Sequence, residues 1–335
     1  MSKNSKVEAK GRRAGIRPNP FNIAVAAVGS WILYSRFFID HEVPLPPALD
    51  AERDTITGAT TGVLSYYADR QAAGRPLVLI HSINAAGCAY EIKPIFDHYQ
   101  ATRPVYALEL PGFGFSERSD RVYSPALYKR AILDFLSAVV KEPADVVALS
   151  LSCEFAAMAA HEQPDRFRSL ALISPSGFTG QRQGRSSERA SESGASDVLY
   201  RVFAFPLWAQ AFYDLIATRR SINFFLSQSF EGPVDQGLAD YAYLTAHQPG
   251  ARYAPLYFVS GKLFTRDIRT AVYERLATPA LVLYDRDAFV RFDELPGVIE
   301  RNANWQATRI QPTMGLPHFE QPAQTFAALD AFWNG

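Results

Sequence analysis

Three short runs hold no polar residue at all: Leu77-Val78-Leu79-Ile80, Val146-Val147-Ala148-Leu149 and Leu170-Ala171-Leu172-Ile173. A strand made of such a run has no face to offer water, so it must be covered on both sides. Between the runs, apolar residues recur at helical spacing. Ile92, Ile95 and Phe96 form one such stripe, and Ile132, Phe135, Leu136 and Val139 form another. Gly62 to Tyr67, Val105 to Leu110 and Pro279 to Tyr284 also have strand character, and Pro76 to Ile80 and Leu170 to Ser174 bound two of the apolar runs. Strands alternating with helices predict an α/β protein with a mostly parallel central sheet and helices on both faces.

The rhythm changes after Pro175. Residues 179–197 are polar and low in complexity, which predicts an exposed loop or link. Helical segments rich in aromatics follow, among them Tyr200, Phe203, Trp208, Phe212, Phe224 and Phe230. The simplest organisation is a helical insertion of roughly 100 residues within one sheet, before its penultimate strand, and not a separate second domain. The expected segments are a basic tail and apolar helix at 1–50, a core at 51–177, a helical cap at 178–276 and the rest of the core at 277–335. A last helix is expected from about Pro322 to Trp333.

Lys and Arg balance Asp and Glu at 34 each, so no overall field draws nucleic acid. The N-terminus departs from this balance. Lys3, Lys6, Lys10, Arg12, Arg13 and Arg17 precede a mostly apolar run from Ile23 to Tyr34, and Arg36 interrupts any longer version of it. That run is shorter than the roughly 20 residues of a membrane span. Two readings remain: a helix packed on the domain surface, or peripheral membrane contact in which residues 1–40 lie on anionic lipid. No small-residue cleavage site follows. Cys88 and Cys153 make neither a metal spacing nor a disulfide framework, so a cytoplasmic location is expected. No ligand cluster or dinucleotide loop calls for a metal or organic cofactor. Oligomeric state leaves no signal.

The chemistry concentrates at the ends of the apolar runs. Leu77–Ile80 runs into His81-Ser82-Ile83-Asn84, and Val105–Leu110 into Pro111-Gly112-Phe113-Gly114-Phe115-Ser116. Val146–Leu149 leads to Ser150, with Ala148 two before it and Ser152 two after, and then straight into an alanine-rich helix. A serine on a sharp strand-to-helix turn stands exposed above the sheet, and small residues on either side relieve the crowding. Ser152 is the poorer nucleophile, because the bulky Glu154 occupies its crowded side.

These segments resemble the α/β-hydrolase superfamily, in its capped branch, from about residue 60 onward. His81-Ser82 is similar to that family's His-Gly oxyanion turn, Gly112–Ser116 to its Gly-x-Gly-x-Ser loop, and Ala148–Ser152 to its Gly-x-Ser-x-Gly elbow. Pro164 falls fourteen residues after Ser150, where the family commonly ends the following helix. The resemblance implies a serine hydrolase. Ser150 would be the nucleophile, Asp287 the acid with Asp285 as the alternative, and the N–H groups of Leu151 and Ile83 the oxyanion hole. Chain order leaves His318 as the general base, since it alone among the six histidines follows Asp287. His81, Ser82, Ser152, Glu154 and Asp285 are expected to support the site. Counting back from Glu320, however, puts Gly315 where the family's histidine belongs. His318 lies three residues later, about 10 Å along an extended chain.

An aromatic-rich cap over the elbow would enclose an apolar pocket suited to a hydrophobic carboxylic ester or related acyl compound. Gly315 keeps a second reading open: a binding protein, or a hydrolase fold with changed chemistry.

Overall fold

The computed structural model describes residues 19–180 and 194–334. Its centre is an eight-stranded sheet in the order β1-β2-β4-β3-β5-β6-β7-β8. The strands are β1 (Glu52–Gly58), β2 (Gly62–Asp69), β3 (Leu77–Ile80), β4 (Val105–Leu108), β5 (Ala144–Leu149), β6 (Phe167–Ile173), β7 (Ala280–Arg286) and β8 (Trp305–Met314). β1 and β2 pair antiparallel, as do β2 and β4, and every pairing from β4 through β8 is parallel.

Alternate residues of the apolar runs serve opposite faces. Val78, Ile80, Val146 and Ala148 pack in one core with α3 (Pro125–Phe135) and α4 (Ser152–Glu162). Leu77, Leu79, Val147 and Leu149 pack in the other with α2 (Lys93–Tyr99) and a C-terminal helix, Pro322–Asn334. This is the two-sided cover that runs without a polar residue require.

The cap lies between β6 and β7. Its helices are α5 (Ala195–Phe203), α6 (Ala209–Ile216), α7 (Arg219–Ser227), α8 (Gln236–Ala246), α9 (Tyr253–Val259) and α10 (Ile268–Ala271). Most of the polar stretch preceding it, 181–193, lies outside the described residues, as do the basic positions from Lys3 to Arg17.

The N-terminal helix α1 is longer than the sequence suggested, running Pro20–Phe38 over 19 residues. Asn19 caps it by accepting from Phe21 N at 3.1 Å, and Pro20 takes the first turn, where a missing N–H costs nothing. Arg36 does not interrupt the helix. It sits in the last turn, where a cation suits the helix dipole. By length and composition alone this helix could cross a membrane.

Candidate active site

β5 delivers Ser150 to a turn with φ of 51°, and α4 starts two residues later. Ser150 N donates to Ile173 O at 2.9 Å, which holds the turn against the end of β6. A non-glycine residue in this left-handed region costs on the order of 1–3 kcal/mol, so the surrounding packing must impose it. The result is a half-buried hydroxyl on the wall of a cavity of about 920 Å³ between sheet and cap. Ser152 is different. It is fully buried, and its Oγ donates to His81 O at 2.6 Å.

The turn after β3 forms the facing wall. Ser82, Ile83 and Asn84 line the cavity, as does Leu151 beside the serine. His81 lies behind them, its Nδ1 on Ser82 O at 2.7 Å and its Nε2 accepting from Leu110 N at 3.0 Å. Those two bonds fix a neutral ring with the proton on Nδ1, and burial drives its pKa down to about 4. Glu91 ties the turn from below. Its carboxylate accepts from Ser82 N at 2.7 Å and from Asn84 Nδ2 at 2.8 Å, while burial raises its pKa.

Asp287 follows β7 and reaches the same cavity. Its Oδ1 accepts from Phe289 N at 2.7 Å and Val290 N at 3.1 Å. Burial nonetheless raises the carboxyl above its ordinary value. Its Oδ2 faces Gly315, where an added Cβ would lie 3.2 Å away. Gly315 also lines the cavity. Asp285, the alternative acid, points away into the sheet, where it accepts from Arg309 Nε at 2.7 Å and Thr313 N at 3.0 Å. Burial pushes this carboxyl up, but those donors outweigh it and hold the pKa below the ordinary value.

His318 does not reach the site. It is fully buried, its Nε2 lies 2.6 Å from Glu91 O, and it does not line the cavity. Burial lowers its pKa to about 4. The expectation of His318 as general base is therefore corrected. The short helix Pro317–Glu320 packs against α2 and commits the ring to Glu91 O. Glu154, in the first turn of α4, does line the cavity. Its oxygens accept from Ser176 Oγ at 2.5 Å and Thr265 N at 2.8 Å, and burial raises its pKa to about 7.

The family model described as "Alpha/beta hydrolase family" matches residues 77–329. The chain belongs to this family. Solved structures agree in fold. A serine hydrolase involved in carbazole degradation is 15% identical with a TM-score of 0.65, covering 84% of this chain and 98% of its own. A membrane phospholipase A, a bacterial virulence factor, is 16% identical with a TM-score of 0.66, covering 94% and 96%. A thermophilic esterase from Thermogutta terrifontis is 17% identical with a TM-score of 0.61, covering 85% and 98%. At such identities the likeness is one of fold. Among curated proteins no match is found.

Within this hydrolase fold the cap supplies the apolar part of the cavity: Ile216, Ile222, Phe225, Leu226, Leu238 and Phe258. Glu91 is the group that sequence reasoning passed over. It stands four residues before Ile95, on the buried stripe of the same helical segment, and that placement was the available signal. Among the described residues, no three His, Cys, Asp or Glu side chains are gathered closely enough to hold a metal ion.

Proposed function

We propose that this protein is a serine hydrolase acting on a hydrophobic carboxylic ester or related acyl compound, with Ser150 as the acyl acceptor and Asp287 as the proton acceptor. The observation that carries the reading is the strained Ser150 turn, held at positive φ where its hydroxyl meets an apolar chamber. A fold under no pressure to present that hydroxyl would gain stability by relaxing the turn or placing glycine there.

In this mechanism Ser150 Oγ attacks the acyl carbon, and its proton passes to Asp287 through the space over Gly315. The carbonyl oxygen becomes an oxyanion facing the N–H groups of Leu151 and Ile83. One such donor contributes roughly 3–4 kcal/mol in comparable sites. The alcohol leaves with the proton that Asp287 returns. Water then attacks the acyl-serine and gives a proton to Asp287, which passes it to Ser150 Oγ as the acid is released, restoring the hydroxyl and the carboxylate. A carboxyl raised by burial is a better base than an ordinary aspartate, though slower in this role than an imidazole.

A fluorophosphonate probe tests the reading. Labelling of the wild type is expected, lost in Ser150→Ala, retained in Ser152→Ala and slowed in Asp287→Asn. No labelling of folded wild type overturns it. A second reading, ligand binding without turnover, is favoured by Gly315 and by the engagement of His318 with Glu91 O. On that reading an apolar ester raises the melting temperature and is recovered intact.

A further inference from the structure

We propose that α1 and the outer face of the cap form a docking surface for an anionic lipid bilayer, with the cavity mouth opening beside it. Four observations converge on a lipid surface.

The first is the exposure of α1. From Pro20 to Val28 every residue is exposed, although the segment is mostly apolar. Farther along, Phe37 and Phe38 are 68% and 75% exposed. A helix that is apolar on all sides is normally buried. The second is continuity. α1 packs along α6, and α6 touches α7. Across this neighbourhood Leu207, Leu215, Phe224 and Phe225 are exposed as well. Phe225 also lines the cavity, so the apolar band ends at its lip.

The third is how α1 is fastened. Trp31 Nε1 donates to Ala211 O at 2.7 Å. Ser35 Oγ donates to the buried Asp214 at 2.5 Å, and His41 Nε2 lies 3.0 Å from the same carboxylate. A helix tied to the cap by a buried carboxylate can lie along a bilayer but cannot thread through it without tearing those bonds. The fourth is charge. Up to Ile39 the sequence holds seven Lys or Arg and one acid, leaving the rest of the chain with an excess of six acids. A second copy of a chain that is neutral overall offers this tail no net opposite charge. An anionic leaflet does, and apolar faces flanked by basic residues bind at its headgroup boundary.

The test is co-sedimentation of the full chain with vesicles of phosphatidylcholine alone or mixed with phosphatidylglycerol. Binding to the mixed vesicles should exceed binding to the neutral ones at least tenfold and weaken in high salt. Replacing the six basic residues from Lys3 to Arg17 by Gln should abolish this preference, since each charge near the surface strengthens binding about fivefold. Val25→Asp should weaken binding to both vesicle types. Phe224→Ser, far from α1 in sequence, should also weaken binding if the band is continuous. Unchanged circular dichroism in each variant keeps a loss of binding from being a loss of fold. Two results overturn the proposal. One is equal or absent binding to both vesicle types. The other is a lipid-independent dimer that Val25→Asp dissociates, which would make a second copy the occupant of this face. None of these readouts depends on hydrolysis.

Discussion

Gly315→Asp or →Ala would only crowd the cavity, but Gly315→His places an imidazole beside a carboxylate already facing the position. The new Cβ would stand 3.2 Å from Asp287 Oδ2, tighter than a relaxed contact by a few tenths of an ångström, which the loop or the carboxylate must yield. Gly315 has φ of 91°, where a side chain costs on the order of 1–3 kcal/mol. The variant should therefore melt earlier while keeping its fold. Against that loss stands the gain from a positioned general base, about 10²–10⁴-fold in rate. Hydrolysis of a p-nitrophenyl acyl ester and the rate of fluorophosphonate labelling should both rise at least tenfold at neutral pH, the lower end allowing for imperfect placement. Adding Ser150→Ala should abolish the gain, and adding Asp287→Asn should remove most of it. The reasoning fails if the folded variant stays within about twofold of wild type. That outcome would mean that the space between Asp287 and Gly315 is not shared with the Ser150 hydroxyl.

Two further outcomes follow from burial and strain. Glu154 has an ordinary value of 4.5 and rises to about 7 in the fold, so between these values the folded state holds a proton that the unfolded chain has lost. Its effect is to lower stability as pH rises through that window, by about 3 kcal/mol in all, and Glu154→Gln should flatten the decline in urea midpoints. A decline unchanged by the substitution would assign it elsewhere. Ser150→Gly should relieve the positive φ and stabilise the protein by about 1 kcal/mol or less in urea unfolding, and any marked destabilisation would contradict the strain argument.

The interior strands were legible because burial on two faces leaves so plain a mark. Leu77–Ile80 and Val146–Leu149 could hardly be anything else, and the aromatic helices of the cap announced themselves by density. The edges were not legible. β1 reads Glu-Arg-Asp-Thr-Ile-Thr-Gly, largely exposed, and β8 carries Arg309, Gln311 and Pro312. An edge strand tolerates polar residues and proline because one side of it needs no ladder partner, so the pattern that marks central strands is missing. The length of α1 was recoverable from Asn19-Pro20, a capping residue followed by the residue best suited to the first turn. At the site, counting from Glu320 led to Gly315, which in the structure faces Asp287. The chain order that nominated His318 ignored what a buried histidine can do without chemistry: satisfy an inner carbonyl, here Glu91 O. Glu91 was missed because an acid beside Lys93 resembles a surface pair, and only the fold turns it inward.

Three of the four carboxyls that line the cavity, Glu91, Glu154 and Asp287, are held in a way that bears on their charge, and the fourth is Asp267. Glu91 rests on Ser82 N and Asn84, Glu154 on Ser176 and Thr265 N, and Asp287 on two loop N–H groups. These are neutral donors, and in each case burial outweighs them and raises the carboxyl's pKa. An ion pair would hold each group charged, whereas this arrangement brings Glu154 close to half-protonated near neutral pH. These three carboxyls thus carry less negative charge than their number suggests, in a cavity that Arg266 and Arg269 also line. The same proton economy explains how a site without an imidazole could still move a proton. Burial raises the Asp287 carboxyl, so on the proposed mechanism any change that exposes it to solvent should lower its pKa and slow the reaction together.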